Sequence, residues 1–169
     1  MNKYLLLVLS LVVSCTGNNT VQNKEPIKIV NEFSEDEVKW FKSKGDASIN
    51  GIAKFKSKAG VLQFGDKFRI ELMPYCSYTE ERLNKIYKNN DSGFVYIEEG
   101  IPKFTPDPKG YHETIKVMCN SQGEFKFNNL PKGEYYVIAF MLWDGTGGGI
   151  MRHLTLEESE SKFIEMSNF

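Results

Sequence analysis

Residues 123–139 read GEFKFNNLPKGEYYVIA. Gly123 opens a strand, and Phe125 and Phe127, two residues apart, fall on one face of it. Leu130-Pro131-Lys132-Gly133 then supplies a turn, with one residue of fixed φ and one that is conformationally permissive. Tyr135 and Val137 re-enter a core on the far side of that turn. The stretch predicts two strands joined as a hairpin. The second strand, Glu134 to Trp143, is the longest in the chain. Tyr135, Val137, Ala139, Met141 and Trp143 lie on one face, and Tyr136, Ile138, Phe140 and Leu142 on the other. Apolar residues on both faces predict a central strand that is covered on both sides or offers one face to a partner.

Working outward, Lys67 to Met73 alternates with period two. Phe68, Ile70 and Leu72 oppose Lys67, Arg69 and Glu71, which marks a half-buried strand, and Pro74 ends it. Ile49, Ile52, Phe55 and Val61 carry β-type residues broken by Gly51 and Gly60. Shorter strands are expected at Phe94 to Ile97, Thr114 to Met118, Ile150 to Leu156 and Phe163 to Met166. Two segments depart from this pattern. Ser34-Glu35-Asp36-Glu37 matches a capping box and predicts a short helix ending by Gly45. Ser77 to Asn89 carries Leu83, Ile86 and Tyr87 at helical spacing among charged residues, which predicts a helix inserted between strands.

The pattern G-x-F-x-F-x-x-L-P-x-G-x-Y-x-V, with Ile49-Asn50-Gly51-Ile52 and Phe68 to Pro74 upstream, resembles carboxypeptidase regulatory-like (transthyretin-like) domains. The resemblance covers about 47–143, with a long insertion between about 77 and 110. It implies a seven-stranded all-β sandwich, here with a short N-terminal helix and a helical insertion. It also implies an accessory module that rarely carries a catalytic site. Some pilin-type members form an internal isopeptide bond; Lys54 is a possible donor, but Asn128, Asn129 and Leu130 occupy the stretch of the usual Glu, so no such bond is expected. Other sandwiches bind iron through Tyr and His. Here Tyr75, Tyr78, Tyr111, His112 and His153 show no metal-type spacing, so no metal and no cofactor is expected.

The N-terminus points to export. Met1-Asn2-Lys3 precedes an apolar run, Tyr4 to Val13, too short to span a bilayer as a helix. Val12-Val13-Ser14-Cys15 resembles the bacterial lipobox, in which the cysteine takes up lipid and becomes the new N-terminus. Residues 1–14 are thus expected to be a lipoprotein signal peptide, and Cys15 a lipidated (palmitate-type) anchor. The rival reading is an ordinary cleaved signal. Residues 15–33, polar and rich in Asn, Thr and Lys, are expected to be a flexible tether, and 34–169 a single domain. Thr16 leans toward the outer membrane. Cys76 and Cys119 remain as an even pair. In an oxidising compartment they are candidates for a disulfide; the alternative is two reduced, buried thiols.

With a net charge of −1 there is no basic footprint for nucleic acid. The chain is therefore read as a non-enzymatic, membrane-anchored module of the cell envelope that binds or scaffolds an envelope protein or, alternatively, a glycan; a hydrolase is the more distant rival, for which the sequence offers no recognisable base and nucleophile. The candidate binding surface is Trp143 with the Asp144 to Gly149 loop, Asp144 and Thr146 foremost. Trp143 either stacks on a sugar or closes the core.

Overall fold

The computed structural model describes residues 25–143 and 146–169. The expected signal peptide, Cys15 and Asp144 lie outside these residues. The chain runs β1 (Ile27–Lys28), α1 (Glu35–Val38) leading into a 3-10 turn (Lys39–Lys42), β2 (Ala47–Lys56), β3 (Leu62–Phe64) and β4 (Arg69–Pro74). It continues with α2 (Ser77–Tyr87), β5 (Ser92–Tyr96), β6 (Phe104–Thr105), β7 (Ile115–Met118) and β8 (Glu124–Leu130). It ends with β9 (Gly133–Trp143), β10 (Thr146–Leu156) and β11 (Ser161–Met166).

Two sheets face each other. The first has the order β5-β10-β9-β4-β7, antiparallel throughout. The second is built on β2. Strand β11 runs parallel along one edge, while β8 and then β3 run antiparallel along the other. Strand β2 alternates buried and half-buried residues along nearly its whole length, as a strand with one face on a core must. Ile49, Ala53 and Phe55 of β2 and Phe125 and Phe127 of β8 pack against Ile70 and Leu72 of β4 and Val137 and Ala139 of β9. The architecture is thus a β-sandwich. Nine strands form its two sheets, and β1 with β6 adds a separate parallel pair.

The decisive stretch folds differently from a hairpin. Among the described residues β8 pairs only with β2, whereas β9 pairs with β4 and β10. The Pro131-Lys132 turn therefore arches from one sheet to the other. Local turn chemistry is the same for both outcomes; Phe127 and Tyr135 decide it by facing each other's sheet across the core. The double-faced reading of β9 holds. Its odd residues line the inter-sheet core, and Tyr136 and Ile138 on the opposite face lie under α2 with Met73 and Met151. Helix α2 meets them with Leu83, Ile86 and Tyr87, the three residues at helical spacing.

Three expectations are corrected. The Asp144 to Gly149 loop is largely strand: Thr146 to Gly149 belong to β10, in register with Trp143 to Phe140. Glycine there is a packing requirement, since a Cβ on Gly148 would lie 2.2 Å from the Val95 carbonyl. The disulfide is absent, and Cys76 and Cys119 are free and buried. Cys119 donates its N–H to Phe68 just before β4, while Cys76 follows the far end of that strand. Six steps along the chain from Phe68 to Pro74, at about 3.3 Å each, put them roughly 20 Å apart. A disulfide needs its Cα atoms within about 7 Å. Finally, the expected tether is shorter than 15–33. Ile27–Lys28 pairs with Phe104–Thr105, and Ile29 is buried. The Val30 and Asn31 N–H groups both donate to the Glu81 carboxylate of α2 at 2.8–3.0 Å. These donors, Asn31 first, hold the Glu81 carboxyl below its usual range.

The capping box also differs in detail. Ser34 is the N-cap of α1 but makes no side-chain cap bond. Glu37 turns away and accepts from the Ser77 N–H and hydroxyl at 3.3–3.4 Å, tying α1 to the start of α2.

Candidate functional site: a cleft between Trp40 and Tyr75

Of the residues singled out in sequence, Tyr75 lies near His153 and Tyr78 near Tyr111, while Trp143, Thr146 and Lys54 lie elsewhere. Trp143 is half-buried, with its ring 5.5 Å from Phe55 and 4.7 Å from Phe68, so it closes one end of the core. Thr146 pairs with it as the first residue of β10. Lys54 forms an ion pair with Glu165 at 2.9 Å. The two histidines lie apart: His112 bonds Asp107, and His153 sits on β10. Among the described residues no three His, Cys, Asp or Glu side chains are gathered as a metal would require.

A different set of segments converges at one end of the sandwich. The turn after α1 brings Glu37 and Trp40, and the end of β4 brings Tyr75. The β8–β9 arch brings Lys132, Gly133 and Glu134, and the end of β10 brings Thr155 and Glu157. Together they frame an open cleft of about 610 Å³. Such a volume suits a small-molecule site.

Each aromatic wall is held from behind. One edge of the Trp40 indole packs T-shaped on Tyr135 at 5.1 Å and near Phe41 at 6.1 Å. Gly133 makes room for it: a Cβ at that position would lie 2.3 Å from the ring. The glycine of the Pro-x-Gly turn is thus needed for Trp40 as much as for the turn. Tyr75 stacks on Tyr136 with ring centroids 6.0 Å apart and planes at 25°, and it lies 5.6 Å from the His153 ring. Its hydroxyl donates to Glu80 at 2.8 Å, and its backbone N–H to the Glu134 carbonyl at 2.8 Å. Both rings are half-buried, so each keeps surface for a ligand.

Around them stand Glu37, Glu134 and Glu157, all exposed, with Lys132 as the one nearby cation of the lining. Behind Tyr75, the Tyr136 hydroxyl and His153 Nε2 are buried without a hydrogen-bond partner among the described residues. Glu134 lies 3.6 Å from that nitrogen. The hydrogen bond to Glu80, and then burial, push the Tyr75 hydroxyl up to about 12. Burial drives Tyr136 up as well.

These tyrosines hold their protons more tightly folded than unfolded. The Tyr75 contribution is complete below the ordinary tyrosine value of about 10 and is lost as pH rises through about 12. Urea melts at stepped alkaline pH should show stability falling across that window. Tyr75→Phe should flatten part of the fall, and an unchanged slope would exclude the Tyr75–Glu80 bond as its source.

The molecule is thus a β-sandwich with an open cleft at one end, walled by two aromatic rings and ringed by carboxylates. No protein-family model matches the chain, and no curated protein matches it. Among solved structures it is similar to a "putative carbohydrate binding protein" from Pseudomonas aeruginosa. The two share 24% identity and a TM-score of 0.65, over 81% of this chain and 98% of the other. The likeness shows a common fold.

Proposed function

We propose that this chain is a carbohydrate-binding module of the cell envelope, without a catalytic role, that seats a sugar in the Trp40–Tyr75 cleft. The observation that carries the reading is the pair of half-buried rings, each braced from behind and each with surface free at the same opening. Sugars present apolar C–H faces to such rings and hydroxyls to flanking acceptors. Here Glu37, Glu134 and Glu157 are the acceptors, and the braced rings lose little freedom on binding. The description of the Pseudomonas aeruginosa protein of similar fold points the same way. The proposed attachment is a lipid on Cys15, which would display the domain at a membrane, the outer one where the cell has two. The placement of Phe125, Phe127, Leu130, Tyr135 and Val137 in the core supports the resemblance to carboxypeptidase regulatory-like domains.

The test is a fluorescence titration. Trp143→Phe leaves Trp40 as the only tryptophan. Oligosaccharides of envelope type, titrated into that variant, should shift its emission to the blue and saturate. Flat emission across a broad oligosaccharide panel would exclude the cleft as a sugar site.

A further inference from the structure

On the outer face of the five-stranded sheet the register sets out rows of side chains. Lys116, Glu71, Ile138 and Met151 stand side by side, and in the next row Met118, Arg69, Phe140 and Gly149. Helix α2 has eleven residues, about 16 Å at 1.5 Å per residue, and covers Ile138 and Met151 but not the whole face. The segment after β5 folds back to close the side. It is held by Arg82, which bonds Asp107 and the Tyr78 hydroxyl and stacks over Tyr111 at 4.2 Å and Phe104 at 4.7 Å. A chamber of about 350 Å³ is left under the end of the helix.

Its inner walls are apolar: Met73, Leu83, Ile86, Ile138, Phe140 and Tyr111. Its mouth is cationic. Arg69 lies over the Phe140 ring at 5.3 Å, and its Nε meets Glu71 at 2.7 Å. The remaining Glu71 oxygen accepts from the Thr114 hydroxyl at 3.1 Å, so that carboxylate is fully engaged. Among the described residues no acceptor meets the terminal nitrogens of Arg69 or the Lys116 ammonium. An apolar pocket whose rim carries the Lys116 ammonium and the outer nitrogens of an Arg69 paired through Nε alone matches an amphipathic anion better than the matching cation.

We propose that this chamber is a second binding site, separate from the sugar cleft, for a small organic carboxylate with an apolar body. The hydrocarbon lies against Ile86, Ile138 and Phe140, and the carboxylate bridges Arg69 and Lys116. This assignment does not depend on the sugar reading, because the two openings share no lining residue.

Calorimetric titration of the full-length chain carrying Cys15→Ser, so that no lipid competes, tests it with octanoate, octanol and octylammonium. Octanoate should saturate one site, octanol should bind at least about tenfold more weakly, and octylammonium should give no isotherm. Lys116→Glu, an exposed position, should weaken octanoate at least about tenfold, measured well below the melting transition because the new carboxylate faces Glu71 across the strands. In NMR spectra octanoate should move the Ile86 and Ile138 methyl signals and leave the Trp40 indole N–H in place. Octanol binding as tightly as octanoate, a Lys116→Glu isotherm like the wild type, or shifts confined to Trp40 would each overturn the assignment.

Discussion

Replacing Phe127 by alanine should destabilise the fold by about 3–5 kcal/mol. The ring is fully buried, packs edge-on to Phe125 at 6.0 Å, and comes from β8, whose register sets it opposite Ile49 of β2. Removing it takes apolar surface from the centre of both sheets and leaves a cavity that Ile49, Leu72 and Val137 cannot refill without moving strands. For a domain of this size that corresponds to a melting temperature lower by roughly 6–20 °C. Phe163→Ala on β11 is the internal control. That ring is 69% exposed, so its loss should change stability by less than about 0.5 kcal/mol. Equal effects from the two would mean that the sheets do not meet as described.

Trp40→Ala should weaken sugar binding by roughly 30-fold or more, the size of effect seen when a central aromatic anchor is truncated. The ring also packs on Tyr135 and Gly133, so some stability is lost with it. Affinity is therefore measured well below the melting transition, and Tyr75→Ala is read beside it as the opposite wall. Both substitutions should weaken binding strongly while Trp143→Phe leaves it intact. If Trp143→Phe is the variant that loses binding, the sugar lies at the other end of the sandwich.

What could be read in the sequence was local. Strand β9 declared itself because both of its faces are covered, which leaves no polar alternation. Helix α2 declared itself because Leu83, Ile86 and Tyr87 recur at its period. The candidate site did not. Glu37 and Trp40, Tyr75, the 132–134 arch and the 155–157 strand end come from four separate stretches. Nothing in any one of them shows that they meet. Trp40 reads in sequence as a residue beside the apolar side of a short helix. Trp143, exposed in appearance beside glycines, is taken up by Phe55 and Phe68, far from it in sequence and not indicated by any local pattern. The disulfide expectation failed for the same reason: cysteine parity says nothing about which end of β4 each thiol occupies. Burial gives the Cys119 thiol a value of about 11, so it is a packing group that resists oxidation.

If Cys15 carries the proposed lipid, the docking of Ile27 to Asn31 onto β6 and α2 would limit how far the domain can travel. With a lipid on Cys15, only residues 16–26 separate the bilayer from the folded body. Eleven residues reach at most about 40 Å however they are arranged. The sugar cleft would thus sample a thin layer next to the membrane and no more. Within that layer each tethered copy meets a nearby glycan at a high effective concentration. A modest affinity is then sufficient for occupancy, and glycans beyond the leash go unrecognised however well they fit the cleft. Lengthening the segment before Ile27 would widen the catchment without altering a single contact in the site.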